Sequence, residues 1–193
     1  MKLMGNTMGS LSKVQEELII GTLLGDGHLR RKTNTLLEVN HSYKQRDYCF
    51  WKCSILENLV LTSPHIRNSG VNRRSMRFTT QSIFALNRFY DLFYKNGIKI
   101  VPGALNLTPF SLAVWFMDDG SKSGGSIYLN TQQYSVGEQN LLRTFLLDQF
   151  GFVTSLNKDK TYFRIRVSKK SALQLCLLIS TYIPECMSYK LLI

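Results

Sequence analysis

Two long apolar segments dominate the hydrophobic pattern of the chain, one at residues 17–27 and one at residues 111–120. Each is apolar around most of the helical circumference, and a helix of this kind is buried. Each ends in Asp-Gly, and we expect the glycine to be the left-handed residue that ends the helix. Gly21 and Gly25 lie four residues apart and therefore share one helix face. The pattern predicts two buried helices packed against each other.

The pattern around these helices repeats. Alternating apolar and polar residues predict strands, and three- to four-residue spacing predicts helices. Each half reads as αββαββα, so we expect an α+β protein of two pseudo-symmetric halves with antiparallel sheets. The predicted organisation is a flexible start (1–11), a first half (12–100), a linker (101–107) and a second half (108–193). Predicted elements are helices at 13–25, 47–61, 82–94, 136–150 and 171–182, strands at 28–32, 37–42 and 127–132, and hairpins at 65–80 and 152–167.

The two Asp-Gly ends predict a chemical site. If the buried helices pack together, Asp26 and Asp119 lie side by side. A helix C-terminus carries partial negative charge, and neighbouring carboxylates repel each other, so a proton or a cation must offset the charge. Mg²⁺ suits one or two carboxylates with phosphate oxygens and water. Asp-Gly is also a common turn signal, but two copies after long apolar runs, each followed by a polar basic segment, favour a site.

Composition indicates the kind of partner. The 193 residues include 24 Lys and Arg against 13 Asp and Glu, a net charge of +11. An excess of this size favours an anionic polymer, although charge alone also fits an ordinary basic protein. The four cysteines form no Cys-x-x-Cys pair, which suits a reducing, intracellular compartment. No apolar run has the length of a membrane span, and no signal peptide is evident, so we expect no membrane association.

Two lysines recur at matched places. Lys99 lies 73 residues after Asp26 (99 − 26), and Lys190 lies 71 residues after Asp119 (190 − 119). The repeat predicts a pseudo-dimer within one chain, and therefore a monomer. Either lysine alone would be a solvated surface charge. Recurrence favours a catalytic role, in which they polarise water or stabilise developing charge. No His or Glu is placed as a dedicated base. If the site hydrolyses a phosphate ester, we therefore expect the metal to activate the water that attacks the phosphorus.

If the anionic polymer is DNA, the outward strand faces are candidate readers of its sequence. A two-stranded ribbon fits the major groove, where Arg, Asn and Gln pair with base edges, and further basic residues hold phosphates. Some of these side chains are expected to be ordinary solvated residues. The candidates are Arg30, Lys32, Glu38, Asn40, Arg67, Arg73, Arg74, Arg77, Lys122, Tyr128, Asn130, Gln132, Lys158, Lys160, Arg164 and Arg166.

Residues 18–27 and 112–120 resemble the two LAGLIDADG motifs of homing endonucleases, and the second copy is similar to the organellar, intron-encoded branch. The likeness extends over most of the chain beyond residue 12. It implies metal-dependent cutting of both strands of a long DNA site across the minor groove, with Mg²⁺ or Mn²⁺. The acidic residue before the motif's last glycine is the metal ligand, which carries over to Asp26 and Asp119. Lys99 and Lys190 correspond to basic pocket residues.

The chain departs from the motif in several places. Leu24 and Met117 replace its first Asp, and Val114 replaces its third-position Gly, so we expect asymmetric helix packing. Gly25 and Asp118, which precede the two carboxylates, complete the candidate metal residues, and register favours Asp119 over Asp118 as ligand. The resemblance leaves two alternatives: a maturase that binds its own intron RNA, and a DNA-binding module without catalysis. It also implies an organellar location, in mitochondrion or chloroplast.

Overall fold

The structure, a computed structural model, describes residues 10–68 and 74–192, so the candidate reader Arg73 lies outside the described residues. It confirms the predicted double αββαββα order. The first half contains α1 (Lys13–Leu24), β1 (His28–Arg31), β2 (Thr35–Ser42), α2 (Arg46–Ile55), β3 (His65–Asn68), β4 (Arg74–Thr79), α3 (Asn87–Phe93) and a hairpin of β5 (Tyr94–Lys95) and β6 (Ile98–Lys99). The second half contains α4 (Pro109–Asp119), β7 (Gly120–Ser123), β8 (Ser126–Leu129), α5 (Val136–Phe150), β9 (Thr154–Asp159), β10 (Tyr162–Val167), α6 (Lys169–Ile179) and 3₁₀ helices at Ser180–Tyr182 and Glu185–Lys190.

The two large sheets have the same topology. Their strand orders are β1-β2-β4-β3 and β7-β8-β10-β9, and all neighbours are antiparallel. The alternation predicted from the sequence is observed: Leu37 and Val39 of β2 and Ile165 and Val167 of β10 are buried. The helices pack on this inner face. The outer face of each sheet therefore carries the polar and basic side chains.

Helices α1 and α4 pack against each other between the halves. Each begins with a reciprocal capping box, formed by Ser12 with Gln15 and by Thr108 with Ser111, which satisfies two otherwise unpaired backbone N–H groups. A Cβ on Gly21 would lie 2.3 Å from the Ser111 carbonyl oxygen and 2.7 Å from Val114 Cβ. The glycine face predicted for α1 therefore meets the bulkier α4, and the packing is asymmetric, as expected.

The prediction of left-handed glycines at the Asp-Gly ends was wrong. Gly120 has φ −71°, and Gly27 is absent from the positive-φ residues. These glycines are required for space. A Cβ on Gly27 would lie 2.4 Å from Thr22 Cγ2, and one on Gly120 would lie 2.4 Å from the Phe116 carbonyl oxygen. The chain leaves each helix too close to its last turn for a side chain.

Two elements of the first half differ from the predictions. Helix α2 is shorter than 47–61, and its buried residues are Tyr48, Cys49 and Lys52, whereas Trp51 is only partly buried. The segment after α3 is a short hairpin, with two residues in each strand and two in the turn. Its turn residues Asn96 (φ 53°) and Gly97 (φ 76°) have the positive φ values of the tightest hairpin turns. This hairpin turns Lys99 back towards the end of α1.

Two further features complete the fold. The second-half hairpin turns at Lys160 (φ 56°), because β9 extends through Asp159. Within residues 10–68 and 74–192, no helix combines the length and the apolar character that a membrane crossing requires.

Candidate active site

The ends of α1 and α4 form one polar centre. Asp26 follows α1, and its carboxylate side chain is 48% exposed. Asp119 is the last residue of α4, and its Oδ2 atom is buried with no hydrogen-bond partner among the described residues. The negative charge of Asp26 contributes to a raised pKa at Asp119. The two carboxylates that the sequence singled out are therefore electrostatically coupled neighbours.

The two carboxyl groups have opposite pKa shifts. Burial, with the charges of Asp118 and Asp26, raises the pKa of Asp119 to about 8. Burial also opposes ionisation of Asp26, but the hydrogen bond and charge of His41, with the charges of Lys52 and Lys190, lower the pKa of Asp26 overall. The negative charge of Asp26 is therefore balanced within the protein, and that of Asp119 is not.

The two predicted lysines occupy equivalent places. Lys99 Nζ donates to the carbonyl oxygens of Gly25 (2.8 Å) and Gly27 (2.9 Å) at the end of α1. Lys190 Nζ donates to the carbonyl oxygens of Met117 and Asp118 (3.1 Å for Asp118) at the end of α4. Each ammonium thus satisfies carbonyls that a helix end leaves unpaired. Burial lowers the pKa of Lys99 to about 8 and also lowers the pKa of Lys190.

Asp118 lies beside Asp26 and is held by other groups of the protein. Its side chain is fully buried, and its Oδ1 accepts hydrogen bonds from Tyr48 Oη (2.8 Å) and Lys52 Nζ (2.7 Å). Its Oδ2 accepts from Lys52 Nζ (2.9 Å) and from the backbone N–H of Asp26 (3.3 Å). Because both oxygens already have donors within the protein, the geometry favours Asp119 over Asp118 as a metal ligand.

His41 is a residue that the sequence reasoning missed. It is buried on β2, with Nδ1 at 3.5 Å from Asp26 Oδ2 and Nε2 at 3.9 Å from Asp118 Oδ1. The signal was present, because alternation from Leu37 and Val39 places residue 41 on the inner face. A histidine therefore lies beside the Asp26 carboxylate, and the expectation that no His or Glu serves as a dedicated base stays a prediction. Lys52 was missed because a buried lysine breaks the apolar stripe that defines a helix face.

On the outer face of the first sheet, one carboxylate holds two arginines. Glu38 Oε1 accepts from Arg77 Nη2 at 2.5 Å, and Glu38 Oε2 lies 3.3 Å from Arg30 Nε. Asn40, directly opposite Arg77 in the β2–β4 register, is exposed. The ion pair with Glu38 therefore orders Arg77 beside the exposed side-chain amide of Asn40.

The second sheet places an arginine in the matching position. Ile165 pairs with Leu129, which brings Arg164 beside Asn130, and Arg164 Nη1 lies 3.3 Å from Asn130 Oδ1. Here the guanidinium lies over the Tyr128 ring, 4.4 Å from its centroid. Tyr128 thus occupies the position that Glu38 has in the first sheet. The outer faces of the two sheets thus share the arginine–asparagine arrangement and differ in the neighbouring side chain, Glu38 or Tyr128.

The remaining candidate readers are distributed along both sheets. Arg67 is exposed on β3, and Arg74 lies over the Tyr43 ring at 4.2 Å. Lys122 Nζ donates to the Leu191 carbonyl oxygen (2.7 Å), so its charge is held against the chain end. The others are exposed or half-buried on the outer faces or their turns: Lys32, Gln132, Lys158, Lys160 and Arg166.

The fold and the site define a protein of two fused, pseudo-symmetric αββαββα halves with paired carboxylates at the joined helix ends. The family model described as the LAGLIDADG DNA endonuclease family matches residues 16–175. The chain therefore belongs to this family, and the resemblance seen in the two motifs is confirmed.

Several known proteins are similar to the chain. The cytochrome b mRNA maturase bI2 of Saccharomyces cerevisiae is 31% identical over 209 residues, covering 97% of the chain and 49% of the maturase. The probable intron-encoded endonuclease 1 of Wickerhamomyces canadensis is 29% identical, covering 95% of the chain and 86% of that protein. The homing endonuclease I-WcaI, solved bound to its DNA recognition sequence, superposes with a TM-score of 0.88 at 28% identity, covering 95% of the chain and 88% of that structure. The chain thus spans about half the length of the maturase.

Proposed function

We propose that the protein is a site-specific, metal-dependent endonuclease that hydrolyses one phosphodiester in each strand of a long duplex DNA site, across the minor groove. The observation that carries the proposal is that α1 and α4 pack against each other, that Asp26 follows the one and Asp119 ends the other, and that the charge of Asp26 acts on Asp119. Two sheets with basic outer faces flank this centre. The DNA-bound relative I-WcaI, with the same fold at 28% identity, supports a duplex DNA substrate.

The residues at the centre fit a hard divalent cation, Mg²⁺ or Mn²⁺. Asp26 and Asp119 would hold it, with the Gly25 carbonyl oxygen nearby. The buried Asp119 Oδ2 lacks a hydrogen-bond partner among the described residues, and a bound cation would satisfy it. Carboxylate oxygens are the ligands that these ions prefer. When bound, the metal would supply Lewis-acid stabilisation of the phosphoryl oxygens and acidify a water molecule.

The protein's own groups would prepare the reaction. Lys99 and Lys190 place positive charge at both helix ends, beside the position where negative charge develops on the phosphoryl group. Their hydrogen bonds to carbonyls fix each ammonium before substrate arrives. His41 lies against the Asp26 carboxylate and would hold its orientation, because a carboxylate held by a neighbour loses little freedom on binding a cation.

Recognition would divide between the two outer faces. Arg77 with Asn40, and Arg164 with Asn130, are the pairs best placed to read base edges, since guanidinium and amide groups pair bidentately with guanine and adenine. Exposed basic residues such as Arg67 would contact phosphates and set register. Because Glu38 and Tyr128 differ at matched positions, the two half-sites are expected to differ in sequence.

Partners and location follow from the same proposal. Both halves lie in one chain and pack through α1 and α4, so we infer that the monomer carries a complete site. We also infer an organellar intron as the coding context, in a mitochondrion or chloroplast, since one relative is named an intron-encoded endonuclease. The four cysteines are free in the structure, as suits a reducing compartment.

A second candidate function is assistance to the splicing of its own intron RNA. The observation that favours it is the similarity to cytochrome b mRNA maturases from two yeasts, at 31% and 26% identity. Such a protein binds structured RNA and does not require the two carboxylates. The presence of Asp26 and Asp119 at one centre favours the nuclease.

The test is cleavage of a randomised duplex DNA library with Mg²⁺, followed by sequencing of the cut ends. We expect one family of long sites cut in both strands. Asp26→Asn and Asp119→Asn should abolish cleavage of the selected site and retain its binding within a few-fold, because each removes a metal ligand without changing side-chain shape. Glu185→Gln is the matched control and should cut normally. Undiminished cleavage by either Asp variant would contradict the assignment, and binding of intron RNA without any DNA cleavage would favour the maturase.

A further inference from the structure

A buried ion pair connects the two halves directly beneath the active centre. Lys52 of α2 and Asp118 of α4 have fully buried side chains, with Nζ at 2.7 and 2.9 Å from the two carboxylate oxygens. Tyr48 Oη donates to the same carboxylate at 2.8 Å, and the Lys52 ammonium lies 4.8 Å from the Tyr48 ring centroid. Two buried charges are costly unless they are well paired, and here they are fully paired.

The ion pair exists on one side of the pseudo-twofold only. Besides Tyr48, the buried positions in and directly after α2 are Cys49, Lys52 and Leu56, and they have the same spacing as the buried Gln139, Leu142 and Leu146 of α5. The equal spacing places Leu142 in the position equivalent to Lys52. Asp118 precedes Asp119 as Gly25 precedes Asp26, so the equivalent of Asp118 is a glycine. The equivalent pair in the other half is therefore a buried leucine and a glycine, neither of which carries a charge.

The ion pair acts on Asp26 in two ways. Asp118 Oδ2 accepts the Asp26 backbone N–H at 3.3 Å, which fixes the residue that carries the exposed carboxylate. In addition, one potential ligand atom from each of Asp26, His41 and Asp118 lies within 4.8 Å of the others. Such a group could bind a metal by itself. The Lys52 ammonium already supplies the positive charge for Asp118.

We infer that Lys52 is a positioning residue: through Asp118 it holds Asp26 in place and withholds the third carboxylate from the metal, on the Asp26 side of the active centre only. The inference rests on the proposed nuclease function for its effect on cleavage. Its effect on metal binding does not depend on cleavage, and the two can be measured separately.

The first experiment is Co²⁺ titration of the purified protein, followed by visible absorption. In Lys52→Met the Asp118 carboxylate loses its cation, and we expect a new Co²⁺ absorption band from a site that includes His41. The wild type and the double variant Lys52→Met/Asp118→Asn should lack this band. Leu142→Met, at the equivalent position of the second half, is the matched control and should resemble the wild type. A folded Lys52→Met that binds no additional Co²⁺ would overturn the inference.

The second experiment uses the charge-free double variant, which folds even if the single variant does not, since neither charge is left unpaired. On the selected DNA site with each strand separately labelled, we expect one strand to be cut on the order of 10–100-fold more slowly, the usual cost of losing a supporting residue beside a metal site. Cutting of the other strand should be nearly unchanged. Equal slowing of both strands, or no slowing, would refute the positioning role. If the wild type cuts no DNA, the proposed function fails and the Co²⁺ result still decides the inference.

Discussion

At the scale of single residues, the centre shows how charge placement and helix termination depend on each other. An aspartate at a helix C-terminus faces the negative end of the helix dipole. Lys99 and Lys190 offset this charge at both ends, each by donating to carbonyl oxygens of the last turn. The same ammonium groups are the proposed electrostatic helpers of catalysis. Structural and chemical roles therefore coincide in one atom of each lysine.

Replacement of Lys99 by methionine should affect both roles. It removes the donor to the Gly25 and Gly27 carbonyl oxygens, and unsatisfied buried polar groups cost roughly 1–3 kcal/mol. We expect a lower midpoint of urea unfolding and slower DNA cleavage. Lys95→Met on the same hairpin is the control, because Lys95 is exposed and its loss should leave the midpoint nearly unchanged. Equal unfolding midpoints for the two variants would show that the carbonyl contacts contribute nothing.

At the scale of elements, the sequence predicted what depends on local periodicity. The bounds of α5 match the prediction, and both capping boxes form where Ser12 and Thr108 precede apolar runs. The errors arise where tertiary contacts decide. The pattern predicts no strand at 94–99 and so misses the β5–β6 hairpin, although Asn96-Gly97 is a strong hairpin signal. The conformation of Gly120 follows from the proximity of Phe116 rather than from a local rule.

The helix pair at the centre should not tolerate added volume on α1. In Gly21→Ala the new methyl group would lie 2.3 Å from the Ser111 carbonyl oxygen, so α1 and α4 must separate. Overpacking of this kind costs about 1–3 kcal/mol, occasionally more. We expect a clear loss of unfolding free energy, measured by urea denaturation, and reduced cleavage as Asp26 moves away from Asp119.

The matched control for this substitution is Gly137→Ala in the first turn of α5. There the new Cβ would have open space, with Ser135 Oγ as its nearest neighbour at 4.0 Å. Alanine is favoured over glycine in a helix by up to about 1 kcal/mol, so this variant should be neutral or stabilised. Similar destabilisation of both variants would mean that helix propensity, not interhelical contact, limits position 21.

At the scale of the whole molecule, the sequence predicted the symmetry but not how it is broken. The repeat of motif and lysine identified Asp26, Asp119, Lys99 and Lys190 because each recurs. His41 and Lys52 have no titratable counterpart at the equivalent second-half positions, where buried Thr131 and Leu142 lie. Residues that occur in one half only are invisible to a search for repeats. Their role emerges only when α2 of one half meets α4 of the other.

The basic outer faces should make DNA binding strongly dependent on salt. Each phosphate contact contributes about −0.9 to the slope of log binding constant against log salt concentration. Arg67 is exposed on the edge strand β3, where it pairs with Ser75 and its backbone carbonyl accepts a hydrogen bond from Ser75 Oγ. Arg67→Gln should therefore make the slope shallower by about 1, measured by fluorescence anisotropy on the selected duplex between low and moderate salt. The control is Arg143→Gln, because the Arg143 guanidinium lies on α5, away from the outer faces, and donates to Asn140 and Thr154.

The opposite result would contradict the proposed interface. If the salt-dependence slope were unchanged in Arg67→Gln but shallower in Arg143→Gln, the DNA would lie on the helical side of the molecule, and the sheets could not read its bases.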